Sequence, residues 1–348
     1  MSELAVKNLD IFLNQKAGRN SAATSWKRAE EALLKQGFIL KVWPLESPEV
    51  MCRQVDEALA SGASRLIAAG GDGTMQSLID AVFQGPRTPE MFQRLAVGAI
   101  GLGTSNDFHK PFSPDHDLAG FPARIKEAGT TEFDVMELTG KTPAGKNVRH
   151  AFLQASHAGT IPVTNETLTS RPGFFKWLYG IQYELALGLT SFYTLFAYPG
   201  FEGEVQIGTE KQIGKEEQIG TEKQIGKEGQ IGTEKQSCSE NFSGWFSGMT
   251  ILKQCSIAGF FTFATKRTRN DGLFDVGLCK KVGPFKLMDL TWKFSSQGFG
   301  GLPEVVFREA REVQAKFAHP QPIDFDGELV TLISASWRLL PQKLNILG

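Results

Sequence analysis

The sequence predicts an α/β region built on a parallel sheet, followed by an all-β region of short antiparallel strands, and three observations predict it. Two apolar runs, RLIAA at 65–69 and RLAVGAI at 94–100, each lead straight into a glycine-rich polar loop. Strand-like and helix-like patterns alternate up to about residue 130. Beyond Thr131 the pattern changes to short alternating runs parted by Gly, Pro and charged turns, the texture of an antiparallel sandwich or barrel.

Taken in order, NLDIFLNQKAG at 8–18 reads as a buried strand ending in Asn14 and Gly18. A helix is predicted from about Ala22 to Gln36, a strand around Gly37 to Val42, and a helix from about Pro48 to Ala60, where proline suits a first helical turn. The third strand opens into Gly70-Gly71-Asp72-Gly73-Thr74, and MQSLIDAVF at 75–83 has the spacing of an amphipathic helix. Glycines let a backbone approach a ligand closely, while the free amides and dipole of a helix start favour an anion, so the loop has the chemistry of a phosphate cradle. Asp72 would be repelled by a phosphate unless a cation stands between them, which suggests Mg²⁺ or a reacting hydroxyl. The same five residues also suit a plain strand-to-helix turn capped by Asp72. The fourth strand leads into Gly101, Gly103, Thr104, Ser105, Asn106 and Asp107. Loops after parallel strands lie at the carboxyl edge of the sheet, where open α/β folds bind ligands.

The second half contains FDVMELTG at 133–140, VRHAFLQASHAG at 148–159, GMTILKQCSIAGFFTFAT at 248–265 and LFDVGLCKK at 273–281, all strand-like. Between them, GFFKWLYGIQYELALGLTSFYTLF at 173–196 reads as one helix covering the sheet. Its aromatics, Phe174, Phe175, Trp177, Tyr179 and Tyr183, suit either a core-covering role or contact with an apolar surface. Residues 206–235 are five tandem hexads, QIGTEK three times with QIGKEE and QIGKEG between them, low in apolar content, and are expected to form a mobile hairpin tip dispensable for catalysis. Late in the chain, Asn270-Asp271-Gly272 and Asp324-Phe325-Asp326-Gly327-Glu328 carry Asp-Gly turn signals, the second with three carboxylates that repel one another unless a cation or hydrogen bonds intervene.

Composition excludes several classes. A net charge of −1 over 348 residues gives no broad basic field for nucleic acid. Cys52, Cys238, Cys255 and Cys279 are scattered, with neither zinc-ligand spacing nor a disulfide framework, which suits a reducing cytosol. The amino-terminal residues lack the pattern of a signal peptide, and the most apolar run, Leu185 to Tyr198, is shorter than the ~20 residues that span a bilayer. A cytoplasmic protein, peripheral to a membrane at most, is expected.

GGDGT at 70–74, GTSND at 103–107, NDGLFDV at 270–276 and DGE at 326–328, in that order, resemble the diacylglycerol kinase catalytic domain family, which includes soluble bacterial lipid kinases and the sphingosine and ceramide kinases. GGDGT alone is shared with NAD kinases and phosphofructokinases. The resemblance implies a Rossmann-like α/β nucleotide-binding domain over 1–131 and a β-sandwich domain over 132–348, the NAD kinase and diacylglycerol kinase architecture. The hexads at 206–235 are then an insertion, the C-terminal strand has scope to return to the first domain, and the active site lies in the cleft. It further implies that Asn14 and Gly18 form a first nucleotide loop, that Gly70, Gly71, Asp72, Gly73 and Thr74 hold phosphate with Asp72 near ATP-bound Mg²⁺, and that Gly103, Thr104, Asn106 and Asp107 form a second loop. Asp326 and Glu328 match the catalytic position, Asp134 an acidic partner that supports it, and Asp271 a structural Mg²⁺ ligand. Gln15 and Gln154 depart from the family's usual Pro and Asn, and the stretch before Pro48 lacks a nucleotide-contacting Thr.

Phosphoryl transfer needs a loop for the triphosphate, a cation for the developing charge and a base for the attacking hydroxyl. Gly70–Thr74 and Asp72 meet the first two needs, and Glu328, with Asp326 close behind, the third. The expected activity is an ATP- and Mg²⁺-dependent kinase acting on a diacylglycerol-like or sphingoid lipid. The expected partners are that lipid at a membrane surface and a second copy of the chain in a homodimer, with no nucleic acid. An NAD kinase and a catalytically silent lipid-binding protein are the alternatives.

Overall fold

The computed structural model describes residues 8–85, 87–104, 106–109, 117–126, 128–169, 173–212, 235–254, 256–258, 261–263 and 265–348. The hexad expectation falls largely on 213–234 and so lies outside the described residues.

The first region runs β1 (Asn8–Leu13), α1 (Ala17–Asn20), α2 (Ala22–Lys35), β2 (Ile39–Pro44), α3 (Pro48–Ala60), β3 (Arg65–Gly70), α4 (Asp72–Gln84), α5 (Pro89–Arg94) and β4 (Ala96–Gly101). Its strands lie in the order β2-β1-β3-β4 and all these pairs are parallel. Every position of β3 is buried, as a central parallel strand covered on both faces requires. The apolar stripe of α2, Ala22, Trp26, Ala29 and Leu33, packs on one face. Met51 and Val55 of α3, with Leu78 and Val82 of α4, pack on the other. Ser47 starts α3 by accepting from the Val50 amide at 3.4 Å, with proline in the first turn as expected.

A short hairpin, β5 (Asp117–Leu118) and β6 (Phe121–Arg124), leads into β7 (Thr131–Lys141), β8 (Asn147–Phe152) and β9 (Ala155–Gly159). Three helices follow, α6 (Thr160–Thr169), α7 (Phe174–Ile181) and α8 (Tyr183–Ala197), then β10 (Phe201–Gln212), β11 (Lys235–Leu252), β12 (Ser256–Ala258), β13 (Phe261–Phe263) and β14 (Phe274–Lys280). The chain finishes through α9 (Pro284–Gln297), β15 (Val305–Ala310), β16 (Glu312–Phe325) and β17 (Glu328–Ile346). Strands β15-β14-β11-β10-β16-β17 are neighbours in that order and antiparallel. Register shifts at Phe246/Gly248 in β11 and Lys316/Gln321 in β16 mark where each strand changes partner along its length. Each pairs with β10 on one side of its shift and with β9 on the other, so these four strands close on one another around a core that includes Met249, Ile323 and Phe201.

The parallel and antiparallel regions share one hydrogen-bonded path. Long β17 pairs with β7, and its Asn345 and Ile346 run parallel to Ala96 and Val97 of β4. Helix α4 is held from the other side as well: Leu78 and Val82 share a core with Phe133 and Val135 of β7 and Ala151 of β8. Its Gln76 donates to the Ala151 carbonyl at 2.7 Å, and Asp80, one turn on, accepts from the Ala151 amide at 3.0 Å and meets His150 Nδ1 at 2.8 Å. This clamp sets the start of α4 beside the turn between β8 and β9.

The single helix expected over 173–196 is two. Gln182 is extended, with φ −142° and ψ 98°, and divides α7 from α8 just after Gly180, a poor helix former. Nor do the large side chains of α8 cover the core. The face it buries is small, Ala186, Thr190 and Thr194, while Leu185, Leu189, Phe192 and Phe196 are exposed.

Candidate functional site

Three loops meet at the carboxyl edge of the parallel strands. Gly71 and Gly103 pass so closely that a Cβ on Gly103 would stand 2.5 Å from Gly71 Cα, a contact only glycine permits. The Leu102 amide donates to the Gly70 carbonyl at 2.7 Å, and Gly18 in α1 lies against the Leu102 carbonyl. Asn14, at the end of β1, donates to Thr74 Oγ1 at 3.2 Å and accepts from the Lys16 amide at 3.1 Å. Asn106 folds back, accepting from the Gly103 amide at 3.1 Å and donating to the Gly103 carbonyl at 3.2 Å. Thr104 is exposed at the loop tip, and Asp107 opens the one-turn helix that continues to His109, its side chain lying outside the described residues. The structure thus brings Asn14, Gly18, Gly70, Gly71, Gly73, Thr74, Gly103 and Asn106 into one surface, with the first amides of α4 opening onto it.

Asp72 is the first residue of α4. Its Oδ1 accepts from the Phe108 amide at 2.9 Å, which ties the phosphate loop to the second glycine loop. Asp326 faces it from the turn between β16 and β17. Phe325 pairs with Glu328, so Asp326 and Gly327 form a two-residue hairpin, and their φ values of +47° and +91° are those an Asp-Gly hairpin turn adopts. The tight turn delivers the Asp326 carboxylate to the β8–β9 connection. There Oδ2 accepts from Leu153 at 2.8 Å and Oδ1 from Gln154 at 3.0 Å and Ala155 at 2.9 Å, all main-chain amides. Burial pushes the Asp326 carboxyl up to about 6; the three amides oppose this, and the charge of Asp72 adds to it. The Asp-Gly pair is therefore both a turn and part of the site.

Glu328 differs. Its Oε1 would stand 2.6 Å from a Cβ on Gly73, so the carboxylate rests on the first turn of α4. No hydrogen bond among the described residues holds it, and partial burial raises it above its ordinary range, with His150 opposing. Of the two candidate bases, Glu328 is the unengaged one and Asp326 the one whose lone pairs are already used. Asp324, two residues before, is buried and pushed up to about 7 by burial, against a 3.2 Å hydrogen bond from Asn165.

Behind Asp72 and Asp326 opens a cavity of about 610 Å³. Gln154, His157 and Asp324 line its inner end, and Leu168, Leu187, Leu195, Leu287, Phe294 and Phe299 its apolar walls. Burial depresses His157 to about 4, so the ring is neutral where it meets Thr250 Oγ1 at 3.1 Å. The wall from α9 was missed in the sequence, although Pro284 at the helix start and the 287/290/294 apolar spacing signal a helix. His157, Asn165 and Asp80 were also missed: Asp80 is a single polar residue in an apolar run, His157 and Asn165 stand next to other polar residues, and none carries a local signal.

Asp134 and Asp271 are brought together, but elsewhere. Asp134 Oδ2 and Asp271 Oδ1 each lie 2.6 Å from Lys253 Nζ, and neither carboxylate lines the cavity. The Gly272 amide donates to Asp134 at 2.6 Å, and the Thr268 and Leu273 amides donate to Asp271. Burial would raise Asp271, but the Lys253 hydrogen bond, these amides and the lysine's charge hold it below its ordinary range. The Mg²⁺ ligand role expected of Asp271 does not fit, because an ammonium already occupies the point where its carboxylate and that of Asp134 converge. At Asp72 one carboxylate oxygen is engaged by the Phe108 amide, which leaves the other to meet a cation brought in by a ligand; among the described residues no cluster of three or more Asp, Glu, His or Cys side chains makes a ready-made metal site.

Residues 8–138 match the family described as Diacylglycerol kinase catalytic domain. Diacylglycerol kinases of Staphylococcus aureus (strain MRSA252) and Staphylococcus epidermidis (strain ATCC 12228 / FDA PCI 1200) are 25% and 27% identical over 135 residues, 39% of this chain and 41% of each relative. The match thus spans about two fifths of the length of these curated relatives. The crystal structure of a diacylglycerol kinase from Bacillus anthracis str. Sterne superimposes with a TM-score of 0.59 at 15% identity, covering 98% of this chain and 96% of that one, a likeness of fold. The resemblance read from 70–74 and 103–107 is borne out; the motifs at 270–276 and 326–328 lie beyond the matched residues.

Proposed function

We propose that the chain, whose residues 8–138 match the diacylglycerol kinase catalytic domain family, transfers the γ-phosphate of ATP to the hydroxyl of a diacylglycerol-like or sphingoid lipid. The observation that carries this reading is the cavity, which joins the phosphate-loop carboxylate Asp72 to walls of leucine and phenylalanine. A phosphate site opening directly onto an apolar pocket of about 610 Å³ suits an acceptor with a polar hydroxyl end and an acyl body.

In the reaction, Asn14, Gly18, Gly70–Thr74, Gly103, Thr104, Asn106 and Asp107 form the nucleotide side. The amides at the start of α4 receive phosphate oxygens. A divalent cation arriving with the nucleotide would be held by Asp72 and would neutralise charge on the transferring group. Asp326 anchors the β8–β9 amides opposite, and Glu328 takes the proton from the lipid hydroxyl. The hydroxyl oxygen bonds to the γ-phosphorus, the bond to the β,γ-bridging oxygen breaks, and ADP leaves with that electron pair. Exposed Trp177 of α7, Phe192 and Phe196 of α8, and Phe285 and Trp292 of α9 stand near the apolar walls, and ring contact between Phe196 and Phe285 at 5.4 Å joins the two helices. They suit insertion into the headgroup region of a membrane from which the lipid is drawn. Among the described residues no helix is long and apolar enough to cross a membrane.

An NAD kinase would seat a second nucleotide in this cavity; polar groups such as Gln154, Thr164 and Asn165 do line it, but its leucine and phenylalanine walls suit an acyl chain better. The test is transfer of labelled γ-phosphate to diacylglycerol, sphingosine, ceramide, phosphatidylglycerol or NAD in mixed micelles. Label on a lipid, lost in Glu328→Gln, is the expected result. Label on NAD moves the reading to the nucleotide branch, and no label from folded, ATP-binding protein favours a silent lipid-binding role.

A further inference from the structure

Lys253 follows the last residue of β11 and is fully buried, a rare position for an ammonium and one that water cannot relieve. Its Nζ has three oxygen neighbours: Asp134 Oδ2 at 2.6 Å, Asp271 Oδ1 at 2.6 Å and the Leu273 carbonyl at 2.7 Å. Two carboxylates and a carbonyl gathered on a turn form the donor set of a hard divalent cation, yet the charge at their centre is delivered by the chain itself. The remaining negative charge is met from outside, by the Arg267 guanidinium 3.6 Å from Asp271 Oδ2 and Lys343 Nζ 3.8 Å from Asp134 Oδ1. One ammonium thereby fastens three separate pieces of chain: β7 through Asp134, the Asn270–Leu273 turn through Asp271 and Leu273, and β11 through its own backbone.

The same residue reaches the candidate site by its main chain. The Lys253 amide donates to the Gln154 carbonyl at 2.9 Å, and the Gln154 amide donates to Asp326 Oδ1 at 3.0 Å. We infer that Lys253 is a resident cation, standing where a metal ion would otherwise bind, and that it positions the β8–β9 amides that hold Asp326. The inference concerns how the fold neutralises Asp134 and Asp271, and it stands independently of which molecule is phosphorylated.

Thermal melting of the full chain without nucleotide, in EDTA and in millimolar Mg²⁺, tests it. For the unsubstituted protein the midpoint is expected to agree in the two buffers. Lys253→Ala removes the ammonium and opens the space of its stem. In EDTA it should melt on the order of 10 °C lower, because two buried carboxylates lose their partner. Mg²⁺ should restore at least half of that loss, a response that loss of stem packing alone would not produce. Lys253→Met, which refills the stem space without charge or room for a hydrated ion, should fall similarly and gain nothing from Mg²⁺. A folded Lys253→Ala protein indifferent to Mg²⁺ overturns the inference. Should Lys253→Ala not fold, the unsubstituted chain still decides: Mg²⁺ stabilisation that disappears in Asp271→Asn places a metal at this turn and also overturns it, and none supports it.

Discussion

Two groups of carboxylates lie on either side of Gln154, and their electrostatics are opposite. On one side Asp72, Asp326 and Glu328 converge at the start of α4, and burial raises Asp326 and Glu328 above their ordinary ranges, the charge of Asp72 adding to the effect at Asp326 alone. On the other, Asp134 and Asp271 close on Lys253, and Asp271 is held low. In the first group Asp72 and Asp326 line a cavity and Glu328 rests on the first turn of α4 beside them; the second group is balanced from within and faces protein. Acidic residues that the sequence presents as one kind are divided by the fold into a set able to take a cation and a proton, and a set committed to holding strands together.

The comparison breaks most sharply on activity. Glu328→Gln should lose roughly 10²- to 10⁴-fold in kcat, as removal of a general base does, with the thermal midpoint unchanged. Asp326→Asn should lose activity and also stability, about 1–3 kcal/mol, because three amides then share a neutral acceptor. Full activity in both variants would remove the first group from the chemistry.

A pH titration of stability sharpens it next. Asp326 and Asp324 rise to about 6 and about 7 on folding, so the folded protein binds their protons more tightly than the unfolded chain. Their contribution is fully present below the unfolded carboxyl value of about 4 and is lost as pH rises through 6 and 7. Asp271 has the other sign: its contribution is present above about 4 and is lost as pH falls through its lowered folded value. The unfolding free energy of Asp324→Asn should therefore decline less between pH ~4 and ~7 than that of the parent, by up to a few kcal/mol, whereas Asp271→Asn should blunt only the acid limb. Parallel profiles for the two variants would erase the distinction.

The smallest expected effect is at the surface. Trp177→Ala combined with Phe285→Ala should weaken vesicle binding by roughly tenfold or more while leaving phosphorylation of a micelle-dispersed short-chain acceptor intact. Unchanged vesicle affinity would leave these aromatics without the membrane role proposed for them.

What could be read from the residues alone follows how local each signal is. Gly70, Gly71, Gly73 and Gly103 announce themselves because strand, loop and helix are contiguous there. Asp326-Gly327 reads as a turn for the same reason, but its delivery to Leu153–Ala155 depends on a register no segment of chain records. Lys253 was invisible as a cation site because its partners come from 134, on β7, and 271, in the turn before β14. The division of the 173–196 stretch escaped notice because its apolar residues are continuous across Gln182, and periodicity cannot tell an exposed apolar face from a buried one.

Strand β17 carries a consequence for the order in which the molecule comes into being. It begins at Glu328 and ends by pairing Asn345 and Ile346 with Ala96 and Val97. A ribosome will have made both glycine loops long before the carboxylates that face them. The nascent parallel sheet must meanwhile wait with the Ala96–Val97 end of one flank of β4 open, β6 taking Ala99 and Ile100, and closing so distant a pairing is slow in loop-closure terms. On the proposed function, phosphate binding and chemistry are thus separated in time during synthesis, because the loops for the first are made well before the carboxylates for the second.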